Sequence, residues 1–123
     1  MATRDLTALD FERTIRDNDI VLVDFWAAWC GPCKSFAPTY DAVSEDHPDV
    51  VFGKVDTEDQ ELLAGQFGIR SIPTLMAFRE EIMVFQQPGA LPQAAVEDLV
   101  TQLRALDMDD VRSQIASHEK QHS

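Results

Sequence analysis

The segment Ile20-Val21-Leu22-Val23-Asp24-Phe25-Trp26 limits the possible folds more than any other part of the chain, because apolar residues fill six of its seven positions without alternating with polar ones. A strand of this composition must be covered on both faces, which is the situation of an inner strand in a parallel sheet flanked by helices. Shortly after it, a helical pattern runs from Pro32 to about Asp46, with Phe36, Tyr40 and Val43 spaced by four and three. Pro38 falls inside this helix and should bend it by deleting a backbone donor, and His47-Pro48-Asp49 ends it. A buried strand leading into a helix is the start of a crossover unit, and the chain repeats it. Val50 to Asp56 reads as a second strand, and Asp59 to Phe67 as a short helix closed by Gly68.

The rest of the chain departs from pure alternation. Thr74 to Phe78 and Ile82 to Gln86 are two strands a few residues apart, so they form an antiparallel hairpin whose turn, Arg79-Glu80-Glu81, contains no glycine. Pro92 to Leu106 places Val96, Leu99, Val100 and Leu103 on one helical face. At the other end, Leu6, Leu9, Phe11 and Ile15 suggest a first amphipathic helix, capped by Thr7 and ending near Asn18. The expected fold class is α/β, a central mixed sheet of four to five strands flanked by helices on both faces. A chain of 123 residues with 45% apolar content suits one domain with its own core. That domain is expected to occupy residues 1–106. Residues 107–123 then form an extension that adds a helical turn or two, with Ser117 to Ser123 polar enough to fray.

With 22 acidic residues against 10 basic ones, the net charge of −12 leaves no basic stripe to replace counterions around phosphates. Nucleic acids and anionic membranes are therefore excluded as partners. No stretch approaches the ~20 apolar residues of a membrane span, and Met1 to Thr7 has no apolar core of an export signal, so a cytoplasmic location is expected. A secreted disulfide scaffold would spread several cysteines along the chain, whereas here two stand together as Cys30-Gly31-Pro32-Cys33. Closing so short a loop removes little chain entropy, so the pair points to chemistry before stability.

Trp29-Cys30-Gly31-Pro32-Cys33-Lys34 directly after the Val21–Trp26 strand, followed forty positions after Cys33 by Ile72-Pro73-Thr74, resembles the thioredoxin family. Asp24 within the strand, Pro38 in the helix, Lys54 in the next strand and Gly89-Ala90 after the hairpin belong to the same resemblance, which spans roughly residues 5 to 106. It implies a thioredoxin-like fold and a small protein-disulfide reductase with no cofactor beyond its own cysteine pair. Such a protein would be recharged by thioredoxin reductase, act on disulfide-containing proteins as a monomer, and serve electron transport and redox homeostasis.

Chemistry gives the cysteines distinct roles. The thiolate is the nucleophile of disulfide exchange, and a helix N-terminus favours it at Cys30. Cys33, one turn on, can attack the mixed disulfide and release the reduced substrate. Only the sulfur of Cys30 is expected to be exposed. A carboxylate buried at Asp24 should have its pKa raised and carry a proton near neutrality. The resemblance implies that it exchanges this proton with Cys33 while Lys54 tunes it, and that Ile72-Pro73 is cis. It further implies a substrate groove formed by Trp29, Gly31, Pro32, Ile72, Pro73, Gly89 and Ala90. Trp26 is expected in the core rather than in contact with substrate.

Two features depart from the family. The hairpin lacks the Asn-Gly or Asp-Gly of a tight turn and is expected to be longer or differently typed. Pro88 removes a backbone donor beside the groove, which bears on partner choice. Four other functions fit the sequence less well. Cys30 and Cys33 with His118 and His122 offer four zinc ligands, but some 84 residues separate the pairs. A redox-inactive interaction domain is disfavoured because both cysteines and Asp24 are in place, and an oxidant of an exported compartment because no signal segment is seen. Attachment of haem through Cys-x-x-Cys-His is excluded by Lys34.

Overall fold

The computed structural model describes residues 2–122. In chain order the elements are β1 (Thr3–Asp5), α1 (Phe11–Asp17), β2 (Ile20–Trp26), α2 (Gly31–Asp46), β3 (Val51–Asp56), α3 (Glu61–Gln66), β4 (Thr74–Arg79), β5 (Ile82–Pro88), α4 (Gln93–Ala105) and α5 (Met108–His122). The sheet order is β1-β3-β2-β4-β5, with β1, β3 and β2 parallel, β4 antiparallel to β2, and β5 antiparallel to β4.

The continuous apolar run of β2 has the explanation expected of it, since this central strand is covered on both sides. On one face Leu22, Phe52, Leu75 and Ala77 pack against Phe36, Tyr40 and Val43 of α2 and Val96, Val100 and Leu103 of α4. On the other, Val21, Val23, Phe25 and Met76 pack against Phe11 and Ile15 of α1 and Leu63 of α3. The α2 helix continues past Pro38 to Asp46.

The N-terminal segment differs from its sequence reading. Thr3-Arg4-Asp5 is a short parallel strand on β3, and Leu6 behind it is buried against Gly53. A Cβ on Gly53 would collide with the Leu6 side chain, so glycine is what lets the two strands sit this close. The helix begins at Phe11, because Asp10 instead turns its carboxylate back to accept the Thr7 N–H at 2.7 Å. Leu9 falls in this turn and is 96% exposed.

The hairpin corrects a second expectation. Arg79 pairs with Ile82, leaving a two-residue turn in which Glu80 and Glu81 both have positive φ, 50° and 71°. This is the tight geometry that Asn-Gly normally supplies, here taken by two glutamates. Neighbours hold it in place: Glu80 N–H donates to Asp19 O at 2.8 Å, Arg79 Nε donates to Asp19 Oδ1 at 3.0 Å, and Arg112 Nη1 donates to Glu80 Oε1 at 2.8 Å. The last of these bonds comes from α5. That helix runs through fifteen residues rather than one or two turns, with Met108 buried at its start and Arg112 also bonded to Asp109. Ser123 lies outside the described residues.

Candidate active site

The chemistry gathers at the carboxyl end of β2. After Trp26 the chain turns, Cys30 N–H donating to Ala27 O at 3.2 Å, and Cys30 becomes the N-cap of α2, its sulfur accepting the Cys33 N–H at 3.2 Å. Pro32 suits the first helical turn because the N–H it lacks would have no helical partner there. Cys30 and Cys33 are joined in a disulfide with Cα atoms 5.2 Å apart. In this oxidised form they are enclosed almost equally, at 4% and 3% exposure, so the sequence expectation that only Cys30 would be open does not describe the closed disulfide. Their surroundings are Ala27, Trp26 and Ile72.

The loop before β4 supplies the facing wall. Ile72-Pro73 is cis, and Ile72 O lies 3.7 Å from Cys30 Sγ. Gly89, at φ 98°, donates its N–H to Pro73 O at 2.8 Å, tying the end of β5 to this loop. Because that bond makes Pro73 and Gly89 the hydrogen-bonded pair, the nitrogen of Pro88 faces the open edge of β5, where no ladder bond is needed. Trp29 stands beside the disulfide, 67% exposed, with Nε1 donating to Glu58 Oε1 at 2.5 Å. Gly31, Pro32, Gly89 and Ala90 are exposed around it and Ile72 is half-buried. Glu58 had no mark of its own in the sequence, since nothing distinguishes it within Asp56-Thr57-Glu58-Asp59.

Asp24 lies deeper. It is 1% exposed, and neither carboxylate oxygen has a hydrogen-bond partner among the described residues. Burial pushes its carboxyl up to about 7, with the Lys54 charge pulling the other way. Lys54 is its in-register neighbour on β3 and is half-buried, with Nζ 4.8 Å from the centre of the Trp26 ring. Trp26 is also half-buried, its Nε1 enclosed without a hydrogen-bond partner among the described residues. The Tyr40 hydroxyl donates to Gly53 O at 2.8 Å, and its pKa is driven well above the ordinary phenol value by burial and by Asp24.

The zinc reading is not supported. Both sulfurs are committed to each other, and among the described residues no three or more His, Cys, Asp or Glu side chains form a group able to hold a metal. His118 lies on α5 beside Ile82 and Met83, at the end of the sheet away from the cysteines. The His122 side chain lies outside the described residues. Among those residues no helix is long and apolar enough to cross a membrane.

Comparison with known proteins agrees with this geometry. The thioredoxin family model matches residues 2–102. A Streptomyces coelicolor protein named "Putative thioredoxin 2" is 57% identical over 98% of this chain and 90% of its own length. The thioredoxin of Porphyra purpurea is 40% identical over 79% of this chain and 92% of its own. Among solved structures, Plasmodium falciparum thioredoxin matches at TM-score 0.76 and 33% identity, covering 81% of this chain and 98% of that one. The chain thus belongs to the thioredoxin family, the cofactor-free thiol–disulfide oxidoreductases, and its Cys30–Cys33 pair makes it a protein disulfide reductase.

Proposed function

We propose that the reduced protein attacks substrate disulfides through Cys30 and releases them through Cys33. The Cys30 thiolate bonds to one substrate sulfur and the other leaves as a thiolate. Cys33 then gives up its proton and attacks Cys30 Sγ. The internal disulfide forms, and the second substrate sulfur departs as the two-electron reduction is completed. The observation that carries the assignment is the place of Cys30 at the N-terminus of α2, where its sulfur accepts the Cys33 N–H and would receive the same stabilisation as a thiolate.

Asp24 is the group we assign to take the Cys33 proton. With a pKa of about 7 it can lose and regain a proton near neutral pH, and Lys54 stabilises its charged form. Trp29, Gly31, Pro32, Ile72, Gly89 and Ala90 form the docking surface around the buried Pro73, and an extended substrate segment can lie against the exposed backbone there. Pro88 offers no donor on the outer edge of β5, which directs substrates to the Pro73 side of the groove. On this reading the protein works as a monomer in the reducing cytoplasm. There it carries electrons from thioredoxin reductase to disulfide-containing proteins and contributes to redox homeostasis. Residues 1–106 act as the catalytic domain, and residues 107–123 are an extension that carries α5.

The test is insulin reduction followed by turbidity, with dithiothreitol as reductant and then with NADPH and a thioredoxin reductase. Both arms should be active, and Cys30→Ser should abolish the reaction in each. Activity with dithiothreitol alone would overturn the assigned reductase partner. Full activity of Cys30→Ser would overturn the nucleophile.

A further inference from the structure

Asp5, Lys54 and Asp24 form a row across three parallel strands. Lys54 on β3 is in register with Asp24 on β2 and, on its other side, with Asp5 on β1. In-register neighbours of a parallel sheet present their side chains to the same face, which here is the face covered by α2. Burial decreases along the row, with Asp24 buried, Lys54 half-buried and Asp5 exposed. Over its outer half α2 lays Lys34, Pro38 and Asp41, and these residues with Asp5 and Lys54 line an open pocket of about 780 Å³. Asp41 is itself only partly exposed, and its Oδ1 is enclosed without a hydrogen-bond partner among the described residues.

Lys54 is therefore the link between the solvent-facing pocket and the buried carboxylate. It lines the pocket and it is the charge that acts on Asp24. Among the described residues it forms no ion pair, and its ammonium rests over the Trp26 ring. A flexible ammonium with carboxylates on both sides settles where their combined attraction is strongest, so anions on the outer side draw it away from the inner one and weaken its effect there.

We propose that Asp5 and Asp41 are positioning residues that compete with Asp24 for the Lys54 ammonium, drawing it toward the pocket and so limiting how far it stabilises ionised Asp24. The groups facing Asp24 are Lys54 from β3 and Tyr40 from α2, with uncharged Leu75 opposite on β4. Those facing Lys54 from the pocket side are Asp5 from β1 and Asp41 and Lys34 from α2. Neutralising either outer carboxylate frees the ammonium to turn inward, and the Asp24 titration midpoint falls. This rests on the reading of Asp24 as proton acceptor only for its kinetic consequence. The electrostatic claim is measured separately.

The experiment is a carbon-13 titration of the Asp24 carboxyl by NMR, on oxidised protein so that neither cysteine titrates. Asp5→Asn and Asp41→Asn should each lower the midpoint by roughly half to one pH unit, and Asp41→Glu should retain it. Lys54→Met should raise the midpoint and cancel the effect of both Asn variants, which a merely structural role would not do. An unmoved midpoint in the Asp5→Asn, Asp41→Asn double variant would overturn the proposal, as would an equal fall in the Lys54→Met background. If the midpoint falls while the pH profile of insulin reduction stays fixed, the positioning holds and the proton role of Asp24 fails.

Discussion

Replacing Asp24 by Asn should stabilise the protein, by an amount set by pH. Asn is close in shape to a protonated Asp and cannot ionise. In the folded protein the Asp24 carboxyl has a pKa of about 7, against 3.8 for an ordinary aspartate. Its protonated form is thus favoured by folding, and between these values the folded state binds more protons than the unfolded state. Stability therefore falls as pH rises from near 4 to near 7, and the loss is complete above the folded value. A gap of about three pH units at 1.36 kcal/mol each amounts to about 4 kcal/mol. No discount for solvent screening applies to a group 1% exposed, although relaxation of the interior makes the figure an upper one. At pH 8 oxidised Asp24→Asn should exceed the parent by up to about 4 kcal/mol, a gain in Tm on the order of 10 °C. At pH 4 the two should nearly coincide. Urea unfolding of both oxidised proteins across this range isolates the residue, because other titrations cancel in the difference. A constant difference between pH 4 and 8, or a variant less stable than the parent at pH 8, would refute the argument. The same variant should slow insulin reduction at neutral pH, so stability and turnover move in opposite directions.

Two further outcomes concern parts of the fold away from the cysteines. Glu81→Gly, at a left-handed position whose side chain forms no hydrogen bond or ion pair among the described residues, should raise stability by about 1 kcal/mol in thermal unfolding, and a destabilised variant would show that Glu81 contributes more than its backbone costs. Ending the chain after Asp107 removes buried Met108 and the Arg112–Glu80 pair, so stability should drop by about 2 kcal/mol while insulin reduction stays within about threefold. A still-folded truncation with much lower activity would make α5 part of the site.

What could be read from the sequence was whatever a local pattern encodes. The unbroken apolar run of β2, the four-and-three spacing of Phe36, Tyr40 and Val43, and the single face of α4 each reflect burial that periodicity reports directly. β1 could not be read this way, because Thr3-Arg4-Asp5 has no strand pattern and is extended only through its pairing with β3. The hairpin turn misled for the opposite reason. Its residues argue against left-handed backbone, and bonds from Asp19 and Arg112, far away in sequence, override that preference. α5 is polar over most of its length, and its anchors are Met108 and a charge pair with the hairpin. In the site, Cys30, Cys33, Asp24 and Pro73 stood out because each is chemically conspicuous where it occurs. Glu58 and the Asp5–Lys54–Asp24 row became visible only with the loop positions and the strand register.

The central claim is that Cys30 attacks and Cys33 resolves. Reduced Cys33→Ser mixed with a disulfide-containing protein such as insulin, quenched in acid and mapped by mass spectrometry, tests it most directly. The account predicts a mixed disulfide at Cys30 that accumulates because no second thiol can release it and that dithiothreitol removes. Absence of any adduct in Cys33→Ser, together with one at Cys33 in Cys30→Ser, would contradict it.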